Sequence, residues 1–533
     1  MKYKIPRTKK RISLGSAAVL LVSSSLLAQV LGFLRTKLVN ANFSAVGPHS
    51  TDAYFAAFNI PDFFFFTLAA GALGVAFMPV LSDHIARGDR KGMWELSSSL
   101  LNMLSIIMAG VAVIIFVFAE PLMHHLVAPN LGPSQLHDAV IIMRLLALNP
   151  LLFTISGVLT ATQQTMGRFF FYAMAPIFYN ICIIASIYLF KNNIGIVGLG
   201  IGALIGAILQ LVVIVIGMNN LGFHWHPKIL WRNRDFRLIL RQLPPRSLDQ
   251  GIDQLESIVE TNFATRLGPG TVSYYNNAFT LQTAPVLLIG TAISTAAFPR
   301  LNTRLSQGRI DLFRQDFLRI LRLIIWLTTP IVVICFFGRG FLARLIFSRN
   351  SSEIALIFGY LTIAIFFRTV YTIISRWFYA QKDTKTPLYV SIFTISFNVF
   401  LASVLARPQS QGGYGVEGLA LAQSIVAMTE VIILSTIMLK RDHKLFDAQF
   451  WGGLFRIVSV TGFSLIAGYI TVSFVPLGIN DRGFVTLGTK LLLIAGVTMA
   501  THIGISGLFG LDEARPLFNW IKRVALRPVK VDY

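Results

Sequence analysis

Cysteine is almost absent from this chain: two residues in 533, Cys182 and Cys335, each inside an apolar run. That leaves no disulfide framework and no cysteine-built metal cluster. Charge is scarce too, at 13% of residues, roughly half the ~25% of ordinary soluble domains. With 54% hydrophobic residues and a mean hydropathy of +0.66, a water-soluble surface of this size cannot be built. No polar stretch is long enough to form a separate soluble domain. A Walker loop, a Gly-x-Ser-x-Gly elbow and a His-Glu-x-x-His helix are all missing. Nothing therefore suggests an enzyme, and nothing offers ATP a place to bind.

What the sequence has in quantity is apolar runs. Fourteen stretches of about 20 residues, enough to cross the hydrocarbon, occupy roughly 14–34, 53–81, 99–119, 138–162, 169–190, 195–218, 243–265, 274–298, 318–337, 354–378, 387–405, 415–439, 454–475 and 485–509. Their continuity, without ten-residue alternation, predicts an all-α, multi-pass membrane protein. The first run follows Lys2, Lys4, Arg7, Lys9, Lys10 and Arg11 but is too long for a cleaved signal peptide, so it reads as the first transmembrane helix.

The 46 Lys and Arg against 24 Asp and Glu leave a net charge of +22. Placement gives this excess its meaning. It falls in the two tails and in alternate loops, among them 82–98, 219–242, 299–317, 379–386 and 440–453. Both termini are therefore expected in the cytoplasm, with anionic lipid headgroups rather than nucleic acid as the partner. Loop 338–353, with Arg339, Arg344 and Arg349, breaks the pattern.

The chain also repeats itself at an offset of 218–221 residues. Asn42-Phe43 recurs as Asn262-Phe263, and the prolines Pro79 and Pro299 each close a span before a basic loop. Asn180 matches Asn398, and Gly195-Ile-Val-Gly198 matches Gly415-Val-Glu-Gly418. Six helices separate the copies, so the two units share one orientation. The expected organisation is a tail 1–13, a six-helix lobe 14–218, a linker 219–242, a second six-helix lobe 243–440, helices 13 and 14 in 441–509, and a tail 510–533. Two lobes of this kind suit alternating access by rocking of one bundle against the other.

Charges inside the spans are the candidates for function. The seventh span carries Arg246, Asp249, Asp253, Glu256 and Glu260 at spacings of 3, 4, 3 and 4, which places all five on one helical face. Such a stripe is either an ion-pair fastening to its bundle or a cation or proton site. Arg35 ends the first helix, either as a snorkelling arginine or as a guanidinium that holds a phosphate through two hydrogen bonds. Asp52 opens the second helix, where capping and the helix dipole also favour an acid. Arg368 and Arg376, eight residues apart on the tenth span, are expected to form a second cationic site or to partner the acid stripe.

Several segments carry a resemblance. Val30-Leu-Gly-Phe-Leu-Arg35, Thr51-Asp-Ala-Tyr-Phe-Ala-Ala-Phe-Asn-Ile-Pro61, Gly71-Ala-Leu-Gly-Val-Ala-Phe-Met-Pro79 and Arg376-Trp-Phe-Tyr-Ala-Gln-Lys-Asp-Thr-Lys-Thr-Pro387 resemble the MurJ/MviN lipid II flippases of the multidrug/oligosaccharidyl-lipid/polysaccharide exporter superfamily. The resemblance implies two six-helix lobes plus two helices in the bacterial cytoplasmic membrane. It implies movement of undecaprenyl-linked peptidoglycan precursor, lipid II, from the inner to the outer leaflet, driven by membrane potential or a cation gradient. Cell-wall synthesis machinery is the further partner it suggests. Such proteins place arginines in a central cavity. Arg35 matches one of them and Asp52 matches the second-helix acid, but Gln29, Phe65, Phe66 and Thr280 stand where others are arginine.

The substrate candidates are thus Arg35, Asp52, Gln29, Thr280, Arg246, Arg368 and Arg376. The ion-coupling candidates are Asp249, Asp253, Glu256, Glu260 and Asn398, with Na+ or H+ as the ion and no other cofactor or metal. The rival readings are export of another lipid-linked glycan or of cationic drugs, or a non-transporting membrane scaffold.

Overall fold

The computed structural model describes residues 14–70, 76–219, 221–347, 349–516 and 518; the tail 1–13 and residues 519–533 lie outside them. Every regular element among the described residues is helical. Hydrocarbon offers backbone groups no partners, and a helix satisfies them within one segment.

The helices are α1 (Leu14–Asn42), α2 (Thr51–Phe65), α3 (Met78–Ala86), α4 (Arg90–Pro121), α5 (Pro133–Leu146), α6 (Asn149–Thr165), α7 (Phe170–Phe190), α8 (Val197–Met218), α9 (Arg234–Thr265), α10 (Thr271–Pro285), α11 (Ala292–Ser306), α12 (Ile310–Ile346), α13 (Ser351–Ala380), α14 (Lys385–Leu405), α15 (Val416–Arg441), α16 (Ala448–Phe474) and α17 (Phe484–Leu508). Each of the fourteen predicted spans coincides with one helix or with a broken pair: α2–α3, α5–α6 and α10–α11 make one span each. Among the described residues, eleven helical stretches are long and apolar enough on their own to cross a membrane, and α9, the seventh span, is not one of them.

The backbone repeats as the sequence does. π-helical turns follow α2 at Phe66–Ala70 and α10 at Val286–Thr291, in corresponding places of the two copies. Left-handed glycines recur in the same way: Gly88 and Gly308 at φ 73° and 70°, Gly195 and Gly415 at φ 68° and 64°. Turns that need φ above zero select glycine, so each copy keeps its own.

By packing, the chain divides into residues 1–265 and 266–533. The division differs from the expected linker at 219–242, and single polar contacts explain why. Asn59 on α2 accepts from the Ser257 hydroxyl at 3.0 Å and donates to the Thr261 hydroxyl at 3.2 Å. Asn262 donates to the Leu126 carbonyl at 2.7 Å. Gly251 lies so close to Thr67 that a Cβ there would be 2.4 Å from its hydroxyl oxygen. These contacts fasten α9, the first helix of the second repeat, to the first unit. The linker is also shorter than expected. It is helical from Arg234 onward, its start capped by the Asn233 side chain, and residues 226–230 lie along α4 on Ser98, Ser99 and Asn102.

Within the first unit, α8 presents Gly198, Gly202 and Gly206 to α7. A Cβ at Gly202 would lie 2.2 Å from the Ser186 hydroxyl. Small residues every four positions let two membrane helices approach closely. In the second unit α13 is central, burying Trp377 and Phe378 with Ile324 and Leu434. The predicted helices 13 and 14, here α16 and α17, join α12 through polar contacts: the Trp326 indole donates to Ser506 at 2.9 Å, and the His502 ring meets the Trp326 carbonyl and the Ser464 hydroxyl, each at 3.1 Å. Arg344, one of the charges that broke the loop pattern, donates to the Gly478 carbonyl at 2.7 Å beside the Asp481–Lys490 pair. It ties α12 to the α16–α17 loop.

Candidate functional site

Each unit carries intramembrane charge of its own. In the first, α1 is long enough to bring Arg35 opposite α2 and α7. The side chain is half-buried and lies within electrostatic reach of Asp62 and Tyr54 on α2 and of Tyr179 on α7. No ion pair occupies its guanidinium among the described residues. Near Gly32, three residues before Arg35 on α1, is the buried Oδ1 of Asn180, which accepts no hydrogen bond among the described residues, while Nδ2 of the same residue donates to the Pro176 carbonyl at 3.0 Å. A guanidinium not consumed by a carboxylate keeps its fork of donors for an anion, and phosphate geometry matches that fork.

Asp52 is buried in the first turn of α2, about 15 Å along the helix from Asp62 at 1.5 Å per residue. Next to it, Gln135 holds the preceding loop by donating to the Ser50 hydroxyl at 2.9 Å and the Gly47 carbonyl at 2.8 Å. Gln29 is exposed on α1.

The acid stripe lies on α9. The side chains of Arg246 and Asp249 lie outside the described residues. Asp253, Glu256 and Glu260 project within about 60° of one another at 100° per residue, with Asp253 exposed and Glu256 and Glu260 buried. Ser257 and Thr261, which bond to Asn59, occupy the adjoining flank. The Ser257 and Thr261 contacts fasten α9 to α2 beside the acids.

In the second unit, Arg368 and Arg376 point to different neighbours. The Arg368 guanidinium meets Glu430 of α15 at 3.5 Å, and Glu430, which is buried, also accepts from the Ser391 hydroxyl of α14 at 3.2 Å. Arg376 stacks over the Phe298 ring of α11, 5.2 Å from its centroid. Eight residues turn a helix through two turns and 80° more, enough to send the two to different helices, so the shared cationic site expected of the pair is not formed between them. Thr280 is half-buried and its hydroxyl donates to the Asn276 carbonyl at 2.9 Å. Asn398 is buried on α14, as its repeat partner Asn180 is on α7.

Sequence reasoning missed Asp62 and Glu430. Asp62 is a lone acid inside its apolar span and Glu430 lies thirteen residues beyond Glu417, deep in another; the cost of intramembrane charge is the signal that would have found them.

A family model described as lipid II flippase MurJ matches residues 46–479. A probable lipid II flippase MurJ of Borreliella burgdorferi is 25% identical over 524 residues, covering 96% of this chain and 99% of the relative. A lipid II flippase MurJ of Burkholderia cenocepacia is 24% identical over 442 residues, covering 80% and 84%. Among solved structures, a lipid II flippase MurJ in an inward closed conformation superposes with a TM-score of 0.75 at 21% identity, covering 94% of this chain and all of that one. An inward-facing multidrug resistance transporter of the MATE family superposes at 0.64 and 16%, covering 80% and 98%. These superpositions establish the shared fold.

Proposed function

The chain belongs to the lipid II flippase MurJ family, and from that premise we propose that it is a transporter carrying lipid II from the inner to the outer leaflet of the bacterial cytoplasmic membrane. The observation that carries this reading is the family match across residues 46–479, which takes in the first copy of the repeat after α1 and the whole of the second.

The physical problem is to move a pyrophosphate and its sugars through hydrocarbon while the polyprenyl tail stays in lipid. Arg35 supplies a guanidinium that no ion pair occupies among the described residues, with Asp62 and the phenols of Tyr54 and Tyr179 within electrostatic reach. Where this chain has Gln29 and Thr280 in place of cavity arginines, Arg246, Arg368 and Arg376 are the candidates to replace them, and Arg368 would have to leave Glu430 to do so. Glu256 and Glu260, with Asp253, are the site at which Na+ or H+ would couple the cycle, because closely spaced carboxylates bind a cation or share a proton. Both termini lie on the cytoplasmic side, where the basic loops follow the positive-inside bias.

The test is complementation of a conditional lipid II flippase mutant. The account expects growth to be restored and precursor to reach the outer leaflet. Precursor stranded in the inner leaflet would refute it, and resistance to cationic drugs in the same strain would then favour the drug-export reading.

A further inference from the structure

The helix α12 has 37 residues, about 55 Å at 1.5 Å per residue against about 30 Å of hydrocarbon. Its first turns therefore stand clear of the apolar slab at the basic-loop end of the second unit. There they face the loop between α15 and α16 and the turn that follows α17. The three enclose a cavity of about 820 Å³. Leu318, Leu445 and Phe450 give it apolar walls.

Most of the charge around this cleft is already committed. Arg314 pairs with Asp442, and Arg322 stands 2.7 Å from the buried Glu513 and 3.6 Å from Asp512. Arg515 pairs with Asp512 at 3.2 Å, and Asp311 pairs with Arg309 at 3.1 Å. Asp447 accepts from the Phe450 N–H at 2.7 Å, capping α16. Two cations remain. Arg319 on α12 and Lys444 on the α15–α16 loop both line the cavity, both are exposed, and neither has an ion pair among the described residues.

We propose that this cleft binds a phosphate-bearing anion, with Arg319 and Lys444 supplying the charge. A guanidinium fork and a mobile ammonium on different elements suit a tetrahedral anion, the first fixing orientation and the second adding charge. Two uncommitted positive charges balance the one or two negative charges of a phosphodiester or phosphomonoester, and the apolar walls accept the carbon skeleton that carries it. The cleft opens where the helices leave the hydrocarbon, so the phosphate can belong to an anionic lipid headgroup of the adjacent leaflet or to a phosphate ester in solution. Either occupant would bridge α12 to the elements that follow α15 and α17.

The experiment uses the full-length chain purified in detergent, titrated separately with dioctanoyl phosphatidylglycerol and with inorganic phosphate, and read by thermal shift. At least one probe should saturate, and the Arg319→Ala/Lys444→Ala double variant should bind it about tenfold more weakly or worse, which is what losing one strong charge-assisted contact produces. Arg87→Ala/Lys91→Ala, the same charge change where α3 ends and α4 begins in the first unit, should bind as wild type. Saturation by the lipid alone assigns the headgroup, and competition by phosphate assigns the free anion. Should the double variant fail to fold, Lys444→Glu alone must weaken binding of the same probe. Absence of saturation with both probes overturns the proposal. So does wild-type affinity in the cleft variants, or equal weakening in the control.

Discussion

Asp383→Asn tests what the longest family-like motif does. In the structure Asp383 closes the turn between α13 and α14. It accepts from the Lys385 N–H at 3.1 Å, from the Thr386 N–H at 3.0 Å and hydroxyl at 2.6 Å, and from Arg441 at the end of α15 at 2.6 Å. Burial pushes this carboxyl up, but the Thr386 and Arg441 hydrogen bonds outweigh it and hold the group at about 2 against an ordinary 3.8. At 1.36 kcal/mol per pH unit that difference amounts to about 2.5 kcal/mol. Asp383 and Arg441 are both partly exposed, so screening by water lowers the yield to about 1 kcal/mol. The sign follows from the direction. A lowered carboxyl contributes stability that is fully present above about pH 4 and is lost as pH falls towards 2. Asparagine keeps the size and one acceptor but not the charge. Thermal unfolding of the purified protein in detergent should therefore show the variant less stable by about 1 kcal/mol at pH 7, with the two curves converging near pH 2. A difference that is constant across this range, or absent at pH 7, would refute the pin.

Three further outcomes are expected. Asn59→Ala removes both hydrogen bonds that join α2 to α9; at about 0.6 kcal/mol for each interhelical bond in a membrane, it should lower stability by about 1 kcal/mol in the same melt, and an unchanged melting temperature would show that the seam contributes nothing. Arg35→Ala should remove complementation while the protein still inserts and melts as wild type, since no ion pair among the described residues is broken; retained complementation would show that Arg35 only snorkels. Glu256→Gln should shift the pH or Na+ dependence of transport in vesicles, and an identical profile would assign the acid stripe to structure.

Much of the fold is legible in the sequence because the bilayer makes it so. Twenty apolar residues in a row have one stable solution, and all fourteen spans coincide with helices. The repeat is legible for the same reason that Gly88 and Gly308 share a φ: a turn with one solution keeps its residue in both copies. What the sequence does not show is partnership. Whether α9 joins the lobe before it or the lobe after it depends on Asn59, Gly251 and Thr67, three residues with no periodic signature. Likewise, Arg368 and Arg376 look like one site on a helical wheel until α15 brings Glu430 to the first and α11 brings Phe298 to the second. Arg35 could be singled out as a charge, but its neighbours Asp62, Tyr54 and Tyr179 come from helices that only the fold assembles.

The most direct measurement of the central claim is translocation of fluorescent lipid II by the purified chain in proteoliposomes, followed by quenching from one side. The account predicts protein-dependent loss of lipid II from the leaflet of origin, accelerated by an imposed membrane potential or cation gradient and abolished in Arg35→Ala. Translocation no faster than in empty liposomes, with both the potential and the gradient applied, would contradict it.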